Sequence, residues 1–253
     1  MMNYSDRCSA DAILGEARNW NARHAAPLAA RIKPPANGRD PERRLKIGYV
    51  AGDFRTHPVG WFTLGLFADH DAGAVETFVY MTLPLTDDLT EKLRARVDHW
   101  RDAAGLAKTE LAQAIRADGI DILVDMAGHT AENGLAALAE RPAPIQAVSG
   151  GVAGTTGVDA VDYILADRFE IPPGHERFYS ESVVRLPDGY VCYTPPDYAP
   201  AVAPLPARAE GRVTFGCFNN IAKISPSTVS LWARVLAAVP RARLLLKTFG
   251  FHD

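Results

Sequence analysis

A parallel α/β fold is what this chain of 253 residues predicts, and three observations carry it. Short apolar runs rich in β-formers recur along the chain, each opening into a polar turn. Between them lie segments whose apolar residues fall at helical spacing, the alternation expected of strand–helix–strand units. The hydrophobic content of 47% is enough to bury one large core or two modest ones. The formal net charge of −3 and a pI near 6.2 leave no basic footprint for nucleic acid. Cys8, Cys192 and Cys217 are odd in number and far apart, so they form neither a disulfide framework nor a zinc pattern, and they suit a reducing cytoplasm. No apolar run approaches the roughly 18–20 residues of a membrane span, and the first twenty residues lack the apolar core of a signal peptide.

The N-terminal residues 3–31 read as one helix or two short ones, with Ser9 as an N-cap before Ala12, Ile13, Ala17 and Trp20, and Pro27 as the interruption. Residues 32–43 hold three prolines and a glycine among charges and read as an extended linker. Arg44 to Phe62 is the most informative stretch. Leu45, Ile47, Tyr49 and Val50 make a covered strand, Gly52 allows a sharp exit, and Pro58 fits the first turn of a helix. Asp53, Arg55 and His57 lie in the turn between them. His57 therefore follows the carboxyl end of a strand, where open α/β sheets bind ligands; a capping or surface role would produce the same local sequence. Asp53 is expected to cap the helix or to pair with Arg55. A helix through Trp61, Leu64, Phe67 and Ala68 follows, then a strand over 75–81 and a surface helix over 86–100 that ends in His99 and Trp100, both read as packing residues.

Thr109 is expected to cap the next helix, whose apolar face is Leu111, Ala114 and Ile115 and whose stop is Asp118-Gly119. Ile120 to Met126 is a second buried strand, and it opens into a loop carrying His129 and Thr130, the same kind of position as His57. Two such loops suggest one cleft. A short strand over 144–148 leads into SGGVAGTTG, Ser149 to Gly157, whose four glycines allow close backbone approach to a ligand. This loop lacks the Lys of a P-loop and the spacing of a dinucleotide fingerprint. Strands over 162–166 and 182–186 complete the region, and the Ala/Pro-rich residues 199–211 read as a linker. After it, residues 213–218 form a strand, 219–224 a loop, Ser225-Pro226 an N-cap with Pro at the first helical position, and 242–249 the next strand. Lys223 stands between that strand and that helix, a place where a lysine and free amides can hold a phosphate. Two strands and one helix cannot bury a complete core, so this second domain is expected to be truncated at Asp253 or completed by another chain.

Six stretches in this order, LKIGYVAGDFRTHPVG, DGIDILVDMAGHT, RPAPIQ, AGTTGVDAVDYILAD, YSESVVRLP and CFNNIAKISPSTVSLWARVL, resemble the catalytic region of the O-linked N-acetylglucosamine transferase family, which includes the SPINDLY-like proteins. They run from about Arg44 to Phe249. The resemblance implies a GT-B type glycosyltransferase of two Rossmann lobes, the first complete and the second truncated. It divides the chain into a helical segment and linker at 1–43, the first catalytic lobe at 44–198, a linker at 199–211 and the start of the nucleotide-binding lobe at 212–253. It implies inverting transfer of N-acetylglucosamine from UDP-GlcNAc to Ser or Thr of proteins, with no metal and no other cofactor.

Residue by residue, the resemblance puts His57 on the family's active-site histidine and Lys223 on the lysine that steadies the diphosphate, the two catalytic positions. His129 and Thr130 match the family's GHT loop, and Gly154 and Thr155 its GTTG loop. Asn220 stands where the family has a glutamine near the nucleotide. The tetratricopeptide repeats that recruit acceptors in the family are missing from this sequence, as is most of the nucleotide lobe, and SGGVAGTTG replaces the bulkier WLGYPGTTG. Two other readings stand beside this one: GDP-fucose as donor, as in some SPINDLY members, and a non-catalytic lobe that serves as an interaction module.

Overall fold

The computed structural model describes residues 2–40, 42–151 and 154–248. Val152, Ala153, and the expected strand end at Phe249 lie outside the described residues. The chain forms two compact units, Ala10–Pro195 and Met1–Ser9 together with Pro196–Asp253.

The larger unit is built on a seven-stranded sheet, β1 (Leu45–Ala51), β2 (Val75–Met81), β3 (His99–Asp102), β4 (Ile122–Asp125), β5 (Ile145–Ser149), β6 (Tyr163–Ala166) and β7 (Ser182–Arg185). Every pairing is parallel, in the order β3-β2-β1-β4-β5-β6-β7. Side chains alternate between two buried faces, which is why these strands read as continuous apolar runs. Val50, Tyr80 and Leu123 point into one core with Leu111, Ile115, Leu135 and Leu138. Their neighbours Tyr49, Val79 and Val124 point into the other, with Phe54, Leu64, Phe67, Leu89 and Leu93. The first core is covered by α4 (Lys108–Asp118) and α5 (Leu135–Leu138), the second by α2 (Pro58–Ala68) and α3 (Asp88–Arg94). Among the described residues no helix is long and apolar enough to cross a membrane.

The N-terminal residues of this unit form α1 (Ala10–Trp20), a π turn over Asn21–Ala25 and a 3-10 turn over Ala26–Arg31. The extended segment after them is tied to the sheet. Asn37 Nδ2 donates to Gly119 O, Ile120 O and Asp121, and Arg43 pairs with Asp121 at 2.5 Å.

Three expectations change. The helix over 86–100 is only α3, closed at its start by an Asp87–Thr90 capping box; His99 and Trp100 instead belong to the edge strand β3. Pairing with β2 outweighs local helix propensity there. Thr109 is not the cap of α4. That helix starts two residues earlier than a Thr109 cap would place it, with Ala107 as its N-cap; Glu110 accepts from the Ala107 N–H at 2.8 Å, and the Thr109 hydroxyl donates to Glu140 at 2.8 Å. The stretch 199–211 contains a short helix, α6 (Pro206–Glu210), which opens on a proline and closes on left-handed Gly211.

The smaller unit carries β8 (Thr214–Cys217), α7 (Pro226–Ala238) and β9 (Arg243–Leu246), with β8 and β9 parallel. Ser225 caps α7 by accepting from the Thr228 N–H, and Pro226 occupies the first turn. None of the described residues of this unit is buried, and Phe218, Val229, Leu231 and Leu245 stay exposed.

Candidate active site

In the order 3-2-1-4-5-6-7 the direction of winding reverses between β1 and β4, and the crevice at such a switch point is where α/β sheets bind ligands. The two strands flanking it are the two that open into histidine loops.

After β1 the backbone folds back tightly: Arg55 N–H bonds Asp53 O, and His57 N–H bonds Arg55 O. Gly60 is required, because a Cβ there would sit 2.1 Å from Arg55 O. Asp87 accepts from Thr56 N–H at 2.7 Å; burial opposes its ionisation, yet hydrogen bonds from Thr56 and Thr90 bring its carboxyl down to about 2. Asp53 pairs with Arg55 at 3.0 Å. His57 caps α2, its Nδ1 accepting from Val59 N–H at 3.3 Å and lying 3.7 Å from Asp53. Burial lowers the imidazole pKa, Asp53 opposes that, and Arg55 reinforces it. The ring is therefore neutral at pH 7, and since Nδ1 serves as acceptor the geometry assigns the proton to Nε2.

After β4 the loop is organised by Asp125, a residue the sequence reading passed over as part of a strand. Its carboxylate is fully buried and accepts from the N–H groups of Ala127, Gly128 and Gly134 at 3.1, 2.5 and 3.1 Å. Burial outweighs those donors and pushes its pKa up to about 6. The loop then places His129 at the surface, where Nε2 donates to Thr156 O at 2.7 Å and the ring meets Trp20 edge-on at 5.1 Å. Thr130 turns its hydroxyl back to Ala127 O at 2.9 Å.

The glycine loop after β5 uses positive φ at Gly150, Gly154 and Gly157. Gly157 also lies so close to α1 that a Cβ would meet the Ala17 carbonyl carbon at 2.4 Å. Gly154 is half-buried, whereas Thr155 is only 5% exposed and its hydroxyl is fully engaged. It donates to Glu181 at 2.7 Å and accepts from the N–H groups of Ser180 and Gly157 at 3.0 and 3.1 Å. The other Glu181 oxygen takes the Thr156 N–H at 2.7 Å and the Thr156 hydroxyl. Thr155 thus shapes the loop, and it does so through Glu181, a second residue the sequence reading missed. The structure brings His129 and the loop of Gly154 and Thr155 together through Thr156 O. RPAPIQ is a support as well: Arg141 bonds Ala160 O, Pro144 O and Asp162, and fully buried Gln146 donates to Leu138 O and Ala160 O.

Asn220 and Lys223 belong to the smaller unit. Asn220 Oδ1 accepts from Ala222 N–H at 2.9 Å and so caps the 3-10 turn Ile221–Lys223. Lys223 is exposed at the end of that turn, two residues before the cap of α7, with Nζ 5.5 Å from the centre of the Tyr4 ring. Among the described residues no group of three or more His, Cys, Asp or Glu could hold a metal ion.

A family model described as "Glycosyl transferase family 41" matches residues 28–194. The Petunia hybrida protein named "Probable UDP-N-acetylglucosamine--peptide N-acetylglucosaminyltransferase SPINDLY" is 40% identical over 99% of this chain and 27% of its own length. A relative from Arabidopsis thaliana with the corresponding name ending in SEC is 32% identical over 82% of this chain and 22% of its own. The chain thus spans about a quarter of these relatives. A solved structure of a mutant O-GlcNAc transferase from Thermobaculum terrenum superposes with a TM-score of 0.90 and 42% identity, covering all of this chain and 48% of that one. The family model, matched over residues 28–194, and the likeness to these proteins lead to one conclusion: this chain belongs to glycosyl transferase family 41.

Proposed function

We propose that the protein is a protein O-glycosyltransferase that moves N-acetylglucosamine from UDP-GlcNAc to Ser or Thr hydroxyls with inversion and without a metal. The observation that carries this reading is the pair of histidine loops at the switch point of a family 41 sheet. In the step proposed, the acceptor oxygen attacks the anomeric carbon from the face opposite the diphosphate. The bond from that carbon to the diphosphate oxygen breaks, UDP departs with the electron pair, and the hydroxyl proton passes, directly or through water, to a phosphate oxygen of the departing UDP. Charge grows on the departing diphosphate, and Lys223 at its turn supplies a cation to offset it.

His57 enters as a hydrogen-bond donor. With Nδ1 committed to Val59 N–H and the proton on Nε2, its free nitrogen holds a sugar or acceptor oxygen and does not take the proton. His129, Thr130 and the glycine loop shape the wall beside it. The test is Lys223→Ala in the intact protein, assayed with UDP-GlcNAc and an acceptor protein. Transfer is expected to vanish with the melting temperature unchanged, and retained turnover would overturn the role given to Lys223. Turnover with GDP-fucose in place of UDP-GlcNAc would overturn the donor assignment.

A further inference from the structure

Lys223 is exposed and makes no ion pair among the described residues. Its backbone is fixed from both sides, by the Asn220 cap before the turn and by the Ser225 cap after it. The four-carbon side chain is not fixed by either. A free lysine loses up to about 2 kcal/mol of rotamer freedom when it is held on a ligand, so whatever confines it beforehand improves its use as a cation.

The group against it is Tyr4, whose ring centre lies 5.5 Å from Nζ, within cation–π range. Tyr4 closes a short 3-10 turn, Met2–Tyr4. Two residues on, Asp6 ties this segment to α7: its carboxylate accepts the Ser227 N–H at 3.1 Å and the Ser227 hydroxyl at 2.7 Å. Ser227 lies in the first turn of the 13-residue helix α7, where a carboxylate also meets the positive end of the helix dipole. The Ser227 hydroxyl, the Ser227 N–H and Ser225 together hold the Asp6 carboxyl below the usual carboxylate range. Ser225, Ser227 and Lys223 stand within five positions of one another, so this tie and the ring act on the same short piece of chain.

We infer that Tyr4 and Asp6 are positioning residues for Lys223: Asp6 ties the N-terminal segment to the first turn of α7, and Tyr4 lays its ring against the Lys223 ammonium so that the cation is pre-placed for a nucleoside diphosphate. The same segment runs on into α1, whose Ala17 and Trp20 abut Gly157 and His129.

The inference rests on the reading of Lys223 as the diphosphate ligand, and the test separates the two. UDP and uridine are titrated calorimetrically into the intact protein and its Tyr4→Leu, Tyr4→Phe, Asp6→Asn and Lys223→Ala variants. Tyr4→Leu and Asp6→Asn are expected to weaken UDP binding by about 2–5-fold, the scale of an exposed cation–π contact. Uridine affinity should not change, and Tyr4→Phe, which keeps the ring, should bind UDP as the parent does. If Lys223→Ala weakens UDP while Tyr4→Leu does not, the positioning inference falls and the reading of Lys223 stands. If Lys223→Ala leaves UDP binding intact, the reading of Lys223 falls. A second measurement needs no nucleotide. Reductive ¹³C-methylation of the 253-residue chain should show a ring-current shift of the Lys223 methyl resonance that survives Tyr4→Phe and disappears in Tyr4→Leu. A resonance unmoved by Tyr4→Leu would overturn the contact itself.

Discussion

Replacing Glu181 tests whether the glycine loop is held from beneath. Its two oxygens serve the Thr155 hydroxyl, the Thr156 N–H and the Thr156 hydroxyl, all at buried residues. In Glu181→Ala the Thr155 hydroxyl can turn toward Ser180 Oγ, 3.0 Å away. Among the described residues the Thr156 N–H and hydroxyl have no such second acceptor. Two buried donors left unsatisfied cost about 1–3 kcal/mol each, so a loss of roughly 2–6 kcal/mol is expected. That is a large part of the ~5–15 kcal/mol that stabilises an ordinary domain. Glu181→Gln keeps an oxygen for Thr156 and turns an amide NH₂ toward Thr155 Oγ1, whose lone pairs already accept from Ser180 and Gly157. Only one interaction is lost, and the cost should be about 1–2 kcal/mol. Urea unfolding of the chain, compared by midpoint at constant m-value, gives the two numbers. Amide exchange at Thr156 and Gly157 localises them. Equal costs for the two variants, or a cost below about 1 kcal/mol for Ala, would refute the view that Glu181 works through these three hydrogen bonds.

Other outcomes follow from the same geometry. Gly157→Ala must adopt φ of +70° and push its Cβ toward the Ala17 carbonyl carbon at 2.4 Å, so it should cost more than the ~1 kcal/mol of left-handed strain alone and expose α1 to limited proteolysis. A stable variant with α1 still protected would contradict the close packing. Asp125 has a folded pKa raised from 3.8 to about 6. The fold binds the extra proton between those values, so the contribution of Asp125 is full below about pH 4 and is lost as pH rises through 6. Relative to Asp125→Asn, the parent should lose up to about 3 kcal/mol between pH 4 and 7; parallel pH profiles would show that Asp125 is not the titrating group. His57 carries the opposite sign, its folded pKa being depressed, so its contribution to stability falls as pH drops below about 6.5. His57→Asn keeps a good N-cap acceptor, should hold stability within about 0.5 kcal/mol at pH 7, and should flatten that acid-side loss; an unchanged acid limb would refute it.

Much of this was legible in the chain itself wherever one piece of backbone answers to its own neighbours. The apolar runs at 45–51, 75–81 and 145–149 are strands because alternate residues face two cores, and a covered strand needs nothing else to be recognised. Ser225-Pro226 at the head of α7 and Gly119 at the end of α4 read correctly because capping is a contact within a few residues. For the same reason the two histidine loops could be picked out as strand exits. Local reading failed at His99 and Trp100, where a strand exists only because β2 lies beside it, and at Thr109, whose hydroxyl is drawn to Glu140, 31 positions away.

What the fold alone decided is which distant groups satisfy one another. The strand order makes β1 and β4 neighbours and so sets the His57 and His129 loops on either side of one switch point, although 72 positions separate them in the chain. Glu181 meets the glycine loop from 25 positions away, and Asp6 meets Ser227 across 221. Sequence patterning records whether a residue prefers water or a core. A buried carboxylate or a latched one is stable only through the particular donors that collapse brings to it, and those are fixed by the topology of the whole sheet and helix arrangement.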